Sequence, residues 1–385
     1  MVLASLDLLG YPRAGLVMTD VTLYSSWGEM LSEGQFPTDD PTWQYPPLAA
    51  LLFVAAAAMP DAQLGFTALA FAADAAAMAG LLLAARGSQR YLGAWLWAFA
   101  ALIVGPLFLA RFDVFPTAAV IGGLLLVARR PAWAGAVLGI GTALKIWPAL
   151  ALAAVRRAKL PAALGGFAAA MIGATAAMWI WFGSAAWSFL AGQSERGLQV
   201  ESVAGLPYVI AHALGARMAI VYRYGSMEVD AVGAGLAATL ATVIGVVLLG
   251  WLALRRLQGR LDSVPGPDVA FAAVAVSVVT SRVFSPQYSI WLLGVLAVCL
   301  GVRGTRMGLP AALVVAAAVL AQVIFPPLYP LLIGGDPGVA WLQVTRIVLV
   351  VTATVVALVR VLRTSTGRRA STAPSAPAQA SASGS

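Results

Sequence analysis

The chain has 385 residues, 61% of them hydrophobic and only 10% charged, with a mean hydropathy of +0.88 and a formal net charge of +8. A soluble domain carries about 25% charged residues, and the apolar runs here are long and unbroken, so the composition excludes soluble domains and a membrane β-barrel alike. A single cysteine (Cys299) and a single histidine (His212) exclude disulfides, iron–sulfur clusters and metal sites built from Cys or His clusters.

Residues 1–18 contain no apolar stretch long enough to span a bilayer and carry Asp7 and Arg13. No basic segment precedes a clean apolar core, so they do not read as a signal peptide. If Asp20 lies outside, a first membrane helix is expected before it and is apparently missing. The run 46–60 is bounded by Pro46-Pro47 and Pro60, which marks an interfacial or half-buried helix. Runs follow at 63–85, 91–109 and 114–128. The run 132–154 holds Lys145 and Pro148 near its middle and is predicted to break at Lys145-Ile146-Trp147-Pro148 into a re-entrant hairpin. Further runs lie at 161–182, 230–252, 268–281, 287–301, 309–325 and 339–362.

These elements predict an all-α, polytopic integral membrane protein with about nine full spans, the hairpin and extracytoplasmic loop helices. Residues 1–362 form one transmembrane domain. Residues 363–385, rich in Ser, Ala and Pro, are predicted to be a disordered cytoplasmic tail. With Asp20 outside, most of the 24 basic residues fall in inner loops, provided that 132–154 returns to the side it left. Topology therefore accounts for the +8, and no nucleic-acid partner is implied.

Varied polar chemistry collects on the outer side. The first outer loop carries Asp20, Tyr24, Trp27, Asp39, Asp40 and Tyr45. Later turns carry Arg111 and Asp113; then Arg196, Gln199 and Glu201; then Arg282, Gln287 and Tyr288. Such a set suits a transferase with a membrane-borne donor. Cations at membrane depth (Lys145, Arg111, Arg282) can hold a phosphate. One carboxylate can deprotonate an acceptor hydroxyl, and a phosphate leaving group needs no second carboxylate as acid. Aromatics beside the carboxylate can stack on sugar rings. Structural readings stand beside these. Asp20 could cap a helix, and Asp39 and Asp40 precede a proline and suit a turn. Arg111 could pair with Asp113, and Lys145 could belong to a structural ion pair. Trp179, Trp181 and Trp187 suit an interfacial belt, His212 a satisfied loop position. Asp74 and Arg346 could pair across helices.

Asp20-x-x-x-Tyr24-x-x-Trp27 with Tyr45-Pro46-Pro47, Arg111-Phe112-Asp113 with Pro116, Ala134-Gly135 to Lys145-x-x-Pro148, Arg196-Gly-Leu-Gln199-Val-Glu201-Ser202, and Ser285-Pro286-Gln287-Tyr288 with Trp291 follow one another in this order. From about residue 18 to 350 the chain resembles glycosyltransferase family 87, the polyprenyl-phosphate-mannose-dependent α-mannosyltransferases of GT-C fold. The resemblance implies an extracytoplasmic aspartate as catalytic base, matched by Asp20, and a basic residue on the donor phosphate, matched best by Lys145. The expectation is an inverting, plasma-membrane transferase with its active site outside and its C-terminus inside. It takes a sugar, mannose first, from a polyprenyl phosphate to a glycolipid or lipid-linked glycan. Lys145, Arg111 and Arg282 are expected at the phosphate. Tyr24, Trp27, Tyr45, Asp113, Arg196, Gln199, Glu201, Gln287 and Tyr288 are expected to line the substrates. No metal is required by this chemistry, though a divalent cation remains compatible with it. The rival reading is a secondary transporter or lipid flippase, which Lys145, Asp74 and Arg346 within apolar runs keep open.

Overall fold

Alanine, leucine and valine without two-residue alternation form helices, and prolines and glycines set where those helices stop. The computed structural model describes residues 14–190 and 196–371. In chain order the main helices are α1 (Ala14–Ser32), α2 (Ala49–Ala57), α3 (Ala62–Ser88), α4 (Leu92–Val104), α5 (Val114–Leu126), α6 (Pro131–Leu144), α7 (Leu160–Phe182), α8 (Leu206–Ala213), α9 (Ala234–Leu257), α10 (Gly266–Val279), α11 (Tyr288–Gly301), α12 (Gly308–Val323) and α13 (Pro337–Ser371).

Among the described residues, five helical stretches are long and apolar enough to cross a membrane: Ala62–Ser88, Arg157–Trp187, Ala234–Leu257, Gly308–Ile333 and Pro337–Thr364. Helices α4, α5, α6, α10 and α11 have 13 or 14 residues. At ~1.5 Å per residue each covers about 20 Å, short of a ~30 Å hydrocarbon core. Four of the nine runs read as full spans (91–109, 114–128, 268–281 and 287–301) thus yield shorter helices. The physical reason is visible at Gly105-Pro106, where Gly105 takes φ +61° and ends α4. The short helices α10 and α11 are buried almost throughout, at the centre of the core. Arg157–Trp187 and Ala234–Leu257 bury only 11% and 17% of their apolar windows. Apolar helices with so little protein cover present their side chains to lipid.

Helix α6 stops at Leu144. Lys145 is extended (φ −159°, ψ 136°), and a 3-10 segment, Trp147–Ala154, follows. Pro148 lacks the N–H that a continuing helix needs. The chain then returns to the end where α6 began, because the Lys159 ammonium donates to the Ala128 carbonyl. The predicted break therefore falls where the residues indicate. Helices α6 and α7 meet backbone to backbone: a Cβ on Gly135 would lie 1.8 Å from the Ala163 carbonyl oxygen, and one on Gly166 1.9 Å from that of Ala132. Small residues let membrane helices approach this closely. Gly135→Ala is expected to pry the pair apart at a cost of ~1–3 kcal/mol, read as a lowered Tm of the detergent-purified protein. An unchanged Tm would mean that the two helices separate freely.

The bundle has two chemically different ends. At one, basic turns are joined by Arg90 to the Leu300 carbonyl (3.4 Å), Arg256 to the Ala153 carbonyl (2.8 Å) and Arg360 to the Arg306 carbonyl. At the other, 105–113, Lys145, 196–230, 280–288 and 324–337 meet. The segment 196–230, expected as an outer loop with loop helices, contains α8. It also contains an antiparallel hairpin absent from the prediction, β1 (Ala219–Arg223) with β2 (Ser226–Asp230). Residues 198–200 run beside β2, with Val229 N donating to the Leu198 carbonyl (2.8 Å) and Val200 N to that of Met227 (3.0 Å). This lobe closes over a second, smaller core that includes Leu198, Val200, Val209, Ile324, Leu332 and Val339. Helix α13 runs to Ser371, past the expected start of the tail at 363. Residues 372–385 of that tail, and residues 1–13, where a first membrane helix was expected to be missing, lie outside the described residues.

Candidate active site

Asp20, Tyr24 and Trp27 do not sit in a loop, as the sequence suggested, but on α1. Spacings of four and three residues put them on one helix face. Tyr24 and Trp27 are buried against Phe53 of α2 (ring centroids 4.9 and 5.7 Å away), and Tyr24 also meets Phe66 of α3. The Trp27 Nε1–H donates to Asp40 Oδ2 (2.8 Å), while Asp40 Oδ1 accepts from the Thr42 N–H (2.8 Å) and hydroxyl (2.5 Å). Asp40 is therefore a turn former with both oxygens occupied. Trp27 is part of the wall behind the site, out of reach of a sugar.

Arg111-Phe112-Asp113 leads into α5. Its two charged side chains make two separate ion pairs. Arg111 pairs with Asp20, whose Oδ2 also accepts from the Tyr24 hydroxyl at 3.5 Å. The Tyr24 and Tyr45 hydroxyls are 2.8 Å apart. Asp113 Oδ1 accepts from Lys145 Nζ (2.7 Å) and from the Trp291 Nε1–H (2.5 Å). Between them Phe112 packs edge-on to Tyr45 at 4.8 Å. Lys145 projects from the broken end of α6 into an aromatic box, 5.1 Å from the Trp291 ring centre, 5.7 Å from that of Tyr288 and 5.8 Å from that of Tyr45. Tyr288 stacks on Trp291 (3.8 Å) and Trp291 on Trp147 (4.9 Å). Burial pulls Arg111 down to about 10, partly offset by Asp113 and Tyr222. Burial, then the Asp113 charge, push the Tyr45 phenol up. Two carboxylates and two cations thus alternate around one aromatic box, tied together through residues 111–113.

An apolar cavity of about 250 Å³ adjoins it, lined by Pro46, Leu48, Thr142, Ile146, Met178 and Trp187 among others. Pro46 follows Tyr45 and Ile146 follows Lys145 in the chain, which sets the cavity next to the box.

A second group of expected site residues turns inward. Gln199 Oε1 accepts from the Phe284 N–H (2.7 Å), and its Nε2 donates to Glu201 Oε2 (3.1 Å) and Ser285 Oγ (3.2 Å). Glu201 Oε1 pairs with Arg346 Nη1 at 3.1 Å, its Oε2 accepts from Tyr329 (3.3 Å) and its carbonyl from Gln343 (3.1 Å). Gln199 and Glu201 are 3% and 2% exposed. Instead of facing a substrate, they brace the 196–202 segment against the 281–288 turn and α13, because every polar atom carried so deep needs a partner. Burial raises the Glu201 carboxyl, with Arg346 and Tyr329 working against it. Arg282, expected at a phosphate, belongs to the same brace: its Nη1 donates to the Arg196 carbonyl (2.7 Å) and its own carbonyl accepts from the Gln199 N–H (2.9 Å). Arg196 donates through Nη2 to the Tyr224 carbonyl (3.2 Å), and its charge acts on Tyr45 and Tyr288. Gln287 is half-buried at the N-cap of α11 and makes no side-chain capping bond.

Sequence reasoning did not give a role to Trp291, although its spacing of three from Tyr288 on α11 was the available signal. Tyr329 and Gln343 gave none, since their partner Glu201 is distant in the chain. Asp74 accepts from Trp97 Nε1 (2.7 Å), and His212 sits between the Ala216 and Ile333 carbonyls at 3.2 Å each. With Asp74 and Arg346 so engaged, the charges that kept a transporter open have structural partners. Among the described residues no group of three His, Cys, Asp or Glu side chains is arranged to hold a metal ion.

The fold and site define a multi-helical membrane protein whose charged, aromatic-lined site lies at one end of the bundle beside an apolar cavity. Residues 43–226 match the model of glycosyltransferase family 87, so the likeness read from the sequence is borne out over that stretch. The match and the apolar helices together indicate a membrane glycosyltransferase. The matched stretch includes Tyr45, Arg111, Asp113, Lys145, Arg196, Gln199 and Glu201, whereas Asp20, Arg282 and Tyr288 lie outside it. No curated protein and no solved structure matches the chain.

Proposed function

We propose that the protein transfers a sugar, mannose in the first instance, from a polyprenyl phosphate to a glycolipid or lipid-linked glycan at the outer face of the plasma membrane. One observation carries this reading: Lys145, backed by Asp113, stands in the aromatic box directly beside an apolar cavity. A polyprenyl-phosphate sugar has the same polarity, an anionic head on an apolar tail. Asp20 removes the proton from the acceptor hydroxyl as its oxygen attacks the anomeric carbon. The bond from that carbon to the phosphate oxygen breaks, and polyprenyl phosphate leaves with the electron pair and its charge against Lys145 and Arg111. Attack opposite to the leaving group inverts the centre. The half-buried rings of Tyr45 and Tyr288 face the sugar, with Arg196 at the rim. The site lies at the end opposite the basic turns, so the positive-inside rule turns it outward and leaves the end of α13 inside.

The test is transfer in membranes from cells expressing the chain, with radiolabelled polyprenyl-phosphate-mannose as donor and native lipid extract as acceptor. Wild type is expected to give a labelled glycolipid, and Lys145→Gln to lose ~10²–10³-fold, the effect of removing one positioned charge from a developing anion. Equal product would overturn the role of Lys145. Competition by polyprenyl-phosphate-glucose or polyprenyl-phosphate-arabinose reads the sugar preference. Transfer is expected to survive EDTA, because two protein cations serve the leaving phosphate and the nearby carboxylates Asp20 and Asp113 are each held by one of them. Loss of activity restored by magnesium would assign that work to a metal.

A further inference from the structure

Most of the net charge of the chain gathers at one corner of the basic end. The turn before α6 supplies Arg129 and Arg130, both exposed. The turn before α7 supplies Arg156, Arg157 and Lys159, also exposed, and Lys159 ties it to the first by its bond to the Ala128 carbonyl. The last turn of α9 and the turn after it supply Arg255, Arg256 and Arg260. It is held to the second through Asp262, whose Oδ1 accepts from the Arg157 N–H (3.1 Å) and from Arg256 Nη1 (3.0 Å). Arg256 Nε donates to the Ala153 carbonyl (2.8 Å), and its buried Nη2 has no hydrogen-bond partner among the described residues.

Eight cations thus meet one carboxylate, and 8 − 1 gives a local charge of +7, against +8 for the whole chain. The remainder of the protein is close to neutral. Orienting a membrane protein requires basic residues on one side of each span; it does not require three separate turns to be drawn to one point. The surroundings match a lipid headgroup. Trp133, 65% exposed, lies in the first turn of α6, and the Arg255 guanidinium sits 5.0 Å over the Trp251 ring. Tryptophan and arginine in such settings mark headgroup depth. Helix α7 starts at this corner and α9 ends there, and both leave most of their apolar surface uncovered.

We propose that this corner binds an anionic phospholipid, with the headgroup phosphate among the cations and the acyl chains along the uncovered flanks of α7 and α9. This site is separate from the transfer site and does not rest on the transferase reading.

The experiment is thermal unfolding of the full chain in detergent, titrated with phosphatidylglycerol or with phosphatidylcholine. Phosphatidylglycerol is expected to raise Tm saturably above phosphatidylcholine, and high salt to remove the difference. Glycerol phosphate without acyl chains is expected not to substitute. Replacing Arg129, Arg130, Arg156, Arg157 and Lys159 together by Gln is expected to weaken the phosphatidylglycerol response roughly tenfold or more. Equal Tm in the two lipids, or an undiminished response of the variant, overturns the proposal. Should the variant fail to insert, the wild type answers alone. The part of the fluorescence lost in Trp133→Phe is expected to be quenched more by dibrominated phosphatidylglycerol than by dibrominated phosphatidylcholine. Equal quenching overturns the site as well.

Discussion

Asp20→Asn is expected to lower transfer by ~10²–10⁴-fold, the usual worth of a positioned general base, while the protein stays folded. Asp20 shares the face of α1 that carries Tyr24 and Trp27 but is partly open to solvent, with one oxygen on Arg111 and Tyr24. Asparagine keeps the volume and an acceptor for Tyr24, so the aromatic wall behind it is undisturbed. It loses the lone pair basic enough to take a proton. The loss should fall on kcat more than on KM, since the proton moves only in the transition state. The measurement is kcat and KM for donor and acceptor at equal expression, with a melting curve as the folding control. Unchanged kcat would remove Asp20 from the mechanism. Asp40 and Glu201 could not readily replace it, because their carboxylate oxygens are already occupied by Trp27 and Thr42 and by Arg346, Gln199 and Tyr329. Asp39 would be the next residue to test.

Arg346→Met is expected to destabilise the protein by ~3–5 kcal/mol, because it leaves the buried Glu201 carboxylate without its cation. The brace joining 196–202, the 281–288 turn and α13 would loosen, and folded yield would fall. Burial already raises the Glu201 carboxyl, so removing Arg346 raises it further. The protonated form then becomes the stable one in the fold, and the deficit of the variant shrinks as pH is lowered through the raised value, whereas wild type gains less from the same change. The combination Arg346→Met with Glu201→Gln removes both charges and is expected to recover much of the loss, giving a large coupling energy in a double-mutant cycle. Additive effects would show that the pair contributes nothing as a pair.

The residues of this chain already state much of its architecture. Unbroken apolar runs dictate membrane helices, and Lys145 with Pro148 dictates a break, since neither an internal proline nor a charged side chain at that depth suits a continuous span. Arg111-Phe112-Asp113 and Lys145 were legible as residues that must find partners, because charges in so apolar a chain are costly to keep alone. What was not legible is pairing. Arg111 could as easily have paired with Asp113, two residues away, as with Asp20, 91 positions earlier in the chain. Only the fold brings α1 against the start of α5 and sends Asp113 to Lys145.

The same limit explains Glu201, Gln199 and Arg282. Polar residues clustered in an outer segment look like substrate contacts, and their inward turn depends on Arg346 in α13, 145 residues away. The hairpin of 219–230 was missed for a related reason, since its short strands are stabilised by residues 198–200 and by a core shared with Ile324 and Val339. Local sequence sets where helices begin, end and break, through backbone hydrogen bonding and burial. Which charge meets which, and which polar side chain faces a ligand, is decided by contacts between distant segments, and only the tertiary structure holds those.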